Sequence, residues 1–368
     1  MIKLTTHTLL LSSMVLLSGC INGTKTEENN PLNNDSQQRI IQLNETLVIS
    51  ENKTNILNKH FICMGTHFEA IKIVADNILI KNSLFENCDV GINIQRANHV
   101  KVTGNRFENI GAGIVLNGEV NDANILYNEF KKVGERDCTR TMGGHNCNVI
   151  AARQLSTNST FAYNRIDNQN SNPIFIEDYI SVFTGETVKA SHINIDSNLL
   201  VGSSLKNASS HSGGCIVIDG RSANNTISSN QCYNVSGYGI AVASASQSTV
   251  KNNRVYVTKE HHDSIKRDSS GRSRVYAFGA TSFYKNICAS NINFTNNEGY
   301  AYHEAYPNKV KVAWMPCLNA GDKNSYPDGT YAHNITLKSN DFKTNDPHWA
   351  IPKNIFSNLG KEYYSGNH

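Results

Sequence analysis

The sequence predicts an all-β protein, wound as a parallel β-helix. Three observations predict it. Asn makes up 50 of the 368 residues, far above ordinary usage. A short segment of the form apolar-x-apolar-x-x-Asn recurs nine times, and a second short apolar segment sits between successive copies. Asn is poor in helix interiors and in most strands. A long helical protein is therefore excluded, and the excess must serve turns.

The Asn-bearing segments are ILIKNSLF, VKVTGNRF, ANILYNEF, TFAYNRI, INIDSNLL, TISSNQC, TVKNNRVYV, INFTNNEGY and ITLKSNDF. Their Asn residues are Asn82, Asn105, Asn128, Asn164, Asn198, Asn230, Asn253, Asn297 and Asn340. The spacings are 23, 23, 36, 34, 32, 23, 44 and 43, a unit of 23 with insertions. The intervening segments are GINIQ (91–95), GIVLN (113–117), NVIAA (148–152), PIFIE (173–177), CIVID (215–219), GIAVA (239–243), VYAFG (275–279) and VAWMP (312–316). Both kinds alternate with period two and read as short strands. The residue after each repeated Asn often opens a third. Three short strands per unit make one turn of a coil. Asn tolerates the left-handed geometry of a tight turn, and its amides can stack from turn to turn.

This pattern resembles the right-handed parallel β-helix, or pectin-lyase-like, superfamily, whose asparagine ladder follows the second strand of each turn. The resemblance covers about residues 61–345. It implies about nine to ten rungs, with residues 39–60 as an N-terminal cap and 346–368 as a C-terminal cap or tail.

Residues 1–20 read as an export signal: a Lys, an apolar run from Leu9 to Leu17, then small residues and Cys. The run is too short to span a bilayer. Leu17-Ser18-Gly19-Cys20 resembles the lipobox of bacterial lipoproteins. That resemblance implies lipidation of Cys20, attachment to the cell envelope, and the outer membrane of a Gram-negative bacterium, since residue 22 is Asn. Residues 21–38 are polar and read as a flexible tether. Export permits disulfides. Eight further Cys remain, and neighbour pairing (63–88, 138–147, 215–232, 288–317) is the simplest scheme, although connectivity does not follow from sequence. Zinc spacings are missing. A net charge of +3 with 18% charged residues gives no electrostatic case for nucleic acid or an acidic membrane surface. A lipid anchor is the expected membrane contact, and a monomer the expected state.

By the superfamily's layout, insertions at 132–147, 202–212, 257–274, 180–190 and 317–331 flank the outer face of the first strand and wall it. An elongated walled groove suits a polymer. Alternation places Glu177 directly under Asp219 on adjacent rungs. One outward column then reads Gln95, Asn117, Ala152, Glu177, Asp219 and Ala243. The next reads Arg96, Gly118, Arg153, Asp178, Gly220 and Ser244. Glu177, Asp178 and Asp219 thus converge with Arg153, Arg221 and Tyr179, with Lys206 and His211 on the loop that leads in. Close carboxylates need a cation between them or a shared proton. Oxygen ligands suit Ca²⁺, a proton suits general acid catalysis, and a flanking Arg is a third solution. A solvated salt-bridge ladder is the bland alternative. His192, His261, His262 and His303 read as surface or structural, and Trp314 and Tyr238 as sugar-stacking or structural.

The resemblance implies an enzyme on an acidic extracellular or biofilm polysaccharide, first a lyase acting by β-elimination. There Glu177, Asp178 and Asp219 neutralise the uronate, with or without Ca²⁺. Arg221 or Lys206 is the base, with His211 and Tyr179 as rivals. Arg153, Asn117 and Gln95 hold substrate. Hydrolysis by the three carboxylates is second. C5-epimerisation shares the lyase's first step, and a non-catalytic polysaccharide-binding lipoprotein is the alternative outside enzymes.

Overall fold

The computed structural model describes residues 39–141, 147–169, 171, 176–184, 191–203, 213–264, 275–281 and 288–302, and the backbone of 313–314 and 342–343. All belong to one compact unit, Gln38–His368. Its short strands form three parallel sheets, of 10, 9 and 11 strands. One turn shows the logic. Val90–Gln95 lies in the 10-stranded sheet 1, Asn98–Thr103 in the 9-stranded sheet 2, and Arg106–Ile110 in the 11-stranded sheet 3. The next turn lays Ala112–Asn117, Asn121–Leu126 and Glu129–Val133 beside them in register. Among the described residues the helix is confined to Lys259–Ser264. No described helix is long and apolar enough to cross a membrane.

The coil begins earlier than expected. Arg39–Leu43, Leu47–Ile49 and Asn55–Leu57 already occupy sheets 3, 1 and 2. Residues 39–60 are thus a first turn and not a separate cap, because Leu43 and Ile56 already point into the core. Inside, like stacks on like. Ile71, Ile92, Ile114, Ile150, Ile180, Ile216 and Ile240 form one continuous inward column. Phe61, Phe85, Phe107 and Phe130 stack at 5.0, 4.7 and 4.7 Å between centroids. Burying each such side chain is worth about 1.5–3 kcal/mol.

The asparagine ladder runs unbroken from Asn105 through Asn128, Asn164, Asn198, Asn230 and Asn253 to Asn297. Each Nδ2 donates to the Oδ1 one turn on, and also to a main-chain carbonyl of the preceding turn. Asn198, for example, donates to Asn230 at 2.9 Å and to the Phe161 carbonyl at 2.8 Å. Asn82 is not a member. Ser83 holds that place, its backbone N donating to Asn105 Oδ1 at 2.9 Å. Asn340 lies outside the described residues.

The ladder also corrects the reason given for the Asn. The left-handed residue of each turn is the one before the ladder: Asn82, Gly104, Tyr127, Tyr163, Ser197, Ser229, Asn252 and Asn296, with φ between 52° and 64°. Ladder Asn are selected for the amide, which donates and accepts at once. A different set of Asn serves left-handed turns, including Asn58, Asn77, Asn87, Asn109, Asn158, Asn224 and Asn291.

Three disulfides join Cys63 to Cys88, Cys138 to Cys147 and Cys215 to Cys232. Cys288 is also disulfide-bonded, and Cys317 lies outside the described residues. So do Cys20 and the whole of 1–38.

Candidate functional site

The outer face of sheet 1 is apolar and covered at both ends, with polar groups collected between. At one end Val90, Ala112, Val115 and Ala151 pack with Cys138 and Cys147. The loop carrying Cys138 is pinned there. Arg136 pairs with the buried Asp89 at 2.9 Å and donates to the Gly65 carbonyl at 3.2 Å. At the other end Val217, Tyr238, Ala241 and Tyr276 form a second apolar cluster.

The register between these ends differs from the expected one. The chain enters sheet 1 as Ile176–Phe183. Ile180 and Val182 take the inward places opposite Ile216 and Ile218, and Phe183 pairs with Asp219. Glu177 does not stack under Asp219. The outward column reads Gln95, Asn117, Arg153, Phe183, Asp219 and Ala243. Two overlapping segments, PIFIE and IEDYISVF, alternate with period two, and the sequence pattern alone does not choose between them. Isoleucines at 180 and 216 settle the pairing by stacking in the core.

Glu177 sits in a β-bulge. Cys147 pairs with Ile176 and Asn148 with Asp178, so Glu177 is the extra residue. Bulges re-aim side chains and break pairing locally. Here Glu177 and Asp178 are delivered together to the start of the strand, and the Glu177 carbonyl accepts from Gly213 N at 2.6 Å. Asp178 is buried, and the hydroxyl of buried Tyr238 donates to its Oδ1. Gly214 lies between them in the register. A Cβ there would meet Tyr238 Cε2 at 2.3 Å and Asp178 Oδ1 at 2.6 Å, so only glycine admits the pair. Arg153, 8% exposed, reaches back along its own strand, and Nη2 donates to Asn148 Oδ1 at 3.4 Å. Asn148 Nδ2 in turn donates to the Asp178 carbonyl at 3.3 Å.

Asp219 stands toward the other end of the face. Its Oδ1 accepts from Gly220 N at 2.5 Å, and Ser244 bonds the same carboxyl. Burial, with a further push from the Glu177 charge, raises Asp219 to about 7 against those bonds. Asp178 is raised well above the carboxylate range, by burial first and then by the charges of Glu177 and Asp219. Arg153 is lowered to about 10 by burial, with the Glu177 charge opposing. The face therefore holds two carboxyls raised above their ordinary range and a guanidinium, all within the field of Glu177.

The other expected residues fall as follows. Tyr179 is turned into the core, where burial raises it to about 12 and Asn168 and Ser203 bond its hydroxyl. It takes no part in the site. Arg221 is exposed in the turn after Asp219. Gln95 and Asn117 are half-buried in the Asp219 column, two and one turns before Arg153. Arg96, Gly118, Gly220 and Ser244 are left-handed turn residues, and their column contains Gln154 in place of Arg153. Lys206, His211 and His303, and the side chain of Trp314, lie outside the described residues. His192 is exposed. His261 and His262 are buried in the short helix, with His261 lowered to about 4 by burial. Phe183 and Asn148 were missed because both depend on the register. Tyr238 was noted as an aromatic but not as the partner of Asp178.

A Ca²⁺ site would need the three carboxylates to converge. Asp178 is committed to Tyr238, Asp219 stands at the far end, and no group of three or more candidate ligands forms among the described residues. These residues do not fit the metal.

The raised carboxyls have a stability consequence. Between pH 4 and 7 the folded chain holds protons that the unfolded chain has lost, so stability falls as pH rises through that window. Asp219→Asn removes the share of this loss that belongs to Asp219 and leaves that of Asp178. Thermal melts are expected to coincide for variant and wild type at pH 4 and to favour the variant at pH 8.

No family model and no curated protein sequence matches the chain. Solved structures do match. An alginate lyase from Paenibacillus sp. aligns at 14% identity and a TM-score of 0.46, over 77% of this chain and 92% of that one. A DFA-IIIase from Arthrobacter chlorophenolicus A6 aligns at 11% and 0.49, over 81% and 68%. The catalytic domain of a GH87 α-1,3-glucanase aligns at 10% and 0.42, over 79% and 55%. The chain has the parallel β-helix fold. Identities this low speak for the fold alone.

Proposed function

We propose that the protein is an exported enzyme that cleaves a polysaccharide by acid–base chemistry on the outer face of sheet 1. One observation carries the reading: two carboxyl groups share that face, and Asp219 is raised to about 7 by burial and then by the Glu177 charge. A carboxyl that keeps its proton can serve as acid opposite a second carboxyl that serves as base. Gly214, opposite Asp178, is five residues from Asp219, roughly 16 Å of strand at about 3.3 Å per residue. Glu177, from the bulge, and Asp219 thus enter the face from its two ends.

In this reading Asp219 gives its proton to the glycosidic oxygen. Glu177 takes a proton from water, whose oxygen forms the new bond to the anomeric carbon as the old C–O bond breaks. Phe183, between Arg153 and Asp219, offers a ring for a sugar to stack on. Gln95 and Asn117 continue the column as hydrogen-bonding groups, and Arg153 orients the substrate. Lipidation at Cys20 anchors the enzyme to the cell envelope, and the disulfides suit an oxidising compartment.

A second reading, β-elimination on a uronate polymer, is favoured by the buried Arg153 guanidinium, a ready partner for a substrate carboxylate. One incubation separates the two. On a panel of neutral and acidic polysaccharides, hydrolysis releases reducing ends without ultraviolet absorbance from an unsaturated uronide. Elimination gives both. Binding with neither signal would show a non-catalytic protein and sink the proposal.

A further inference from the structure

We infer that Tyr127 and Tyr163 form a second sugar-binding ledge, on the turn between sheets 2 and 3 and away from the face that carries Asp219. Both occupy the left-handed place before a ladder Asn, each with φ 57°. At that place the other turns carry Asn, Gly or Ser: Asn82, Gly104, Ser197, Ser229, Asn252 and Asn296. Large residues with positive φ occur in other turns of the coil, Arg96, His99 and Gln154 among them. At the place before the ladder, among the described residues, a ring replaces the small or Asn residue only at Tyr127 and Tyr163. The two are on adjacent turns.

The rings are stacked, with centroids 4.9 Å apart and planes 6° from parallel. Tyr163 is 38% exposed, so the pair is not a buried packing device. Below Tyr127 the column drops to Gly104. Gly104 brings no side chain to the turn under the Tyr127 ring, and Asn82 Oδ1 lies 2.9 Å from where its Cβ would stand. Above Tyr163 the column continues with Ser197, whose hydroxyl donates to the half-buried Asp196 at 2.9 Å, and Ser228 bonds the other oxygen of that carboxylate. A flat aromatic face with hydroxyl and carboxylate groups at its margin is the chemistry that takes a sugar ring: the C–H face stacks and the hydroxyls bond the margin. The ligand is a glycan chain, held outside the cleavage site. The choice of ligand class rests on the proposed function; the ledge itself rests on the tyrosines.

The test is the double variant Tyr127→Asn, Tyr163→Asn, which installs the residue that other turns use at this place. Affinity electrophoresis in gels containing pectate, alginate, inulin, dextran or α-1,3-glucan reads binding, and a thermal melt reads the fold. The expected result is retardation of wild type by at least one polymer, at least a tenfold weaker retardation of the variant, and a melting temperature unchanged or raised. Equal retardation of the two proteins, or no retardation of wild type by any of the five, overturns the ledge. So does a melting temperature lowered by several degrees, which would make the stack structural. Asp219→Asn serves as the control. Its loss of cleavage with retardation intact concerns sheet 1, and loss of retardation in the tyrosine variant alone concerns the ledge.

Discussion

Asp219→Asn is expected to lower kcat by about 10²–10⁴-fold, the range for losing a positioned proton donor, while KM stays within a few-fold. The amide preserves the bond from Gly220 N and the volume, so the fold is untouched and only the transferable proton is lost. Glu177→Gln is expected to act as strongly, by removing the base. It should do one thing more. The Glu177 charge helps hold Asp219 and Asp178 protonated, so its removal lowers Asp219 and moves the alkaline limb of any residual activity to lower pH. In wild type that limb, in kcat/KM, is expected near pH 7. A variant that merely loosened the fold would change activity without moving the limb.

The second large effect is on stability. Asn198→Ala is expected to cost about 3–6 kcal/mol, read as a shift in the midpoint of denaturant unfolding. Four groups lose a hydrogen bond at once, although Asn230 Oδ1 still accepts from the residue-198 N–H and Asn164 Nδ2 still donates to the Ile125 carbonyl. Asn164 N and Nδ2 donate to Asn198 Oδ1 at 2.9 and 3.0 Å, and Asn198 Nδ2 donates to Asn230 Oδ1 and the Phe161 carbonyl. Each buried orphan costs about 1–3 kcal/mol, and water cannot reach them in the interior. Asn82→Ala is the contrast. Asn82 is exposed and outside the ladder, and its replacement is expected to cost under about 1 kcal/mol, chiefly through its left-handed φ.

Much of the fold was legible because a coil repeats its own evidence. Seven ladder Asn and one unit of 23 residues were readable from spacing alone, while the neighbour pairing of the cysteines was only the simplest scheme until three of its pairs were seen. A register slip cannot persist when the next turn must stack Ile on Ile. Legibility failed where the repeat was interrupted. Around 170–180 two overlapping segments alternate equally well, and choosing PIFIE displaced Glu177 by six places onto Phe183. That single choice also hid the bulge that aims Glu177, put Tyr179 on the wrong side of the sheet, and left Phe183 unnoticed. Asp178 and its bond to Tyr238 were unreadable for another reason. Asp178 and Tyr238 are 60 residues apart, and Gly214 between them matters through a missing Cβ. Asn82 and Ser83 show the same limit on a smaller scale, since either residue satisfies the sequence pattern and only the hydrogen bond distinguishes them.

Desolvation on the outer face of sheet 1, with a further push from the Glu177 charge, holds the Asp219 carboxyl up near neutrality. The most direct measurement is the carboxyl titration of Asp219 by carbon NMR, in wild type and in Glu177→Gln. The expected midpoint is about 7 in wild type and lower in the variant, though still above the ordinary carboxylate range because burial remains. A wild-type midpoint in the ordinary range of about 4, unmoved by Glu177→Gln, would contradict the account.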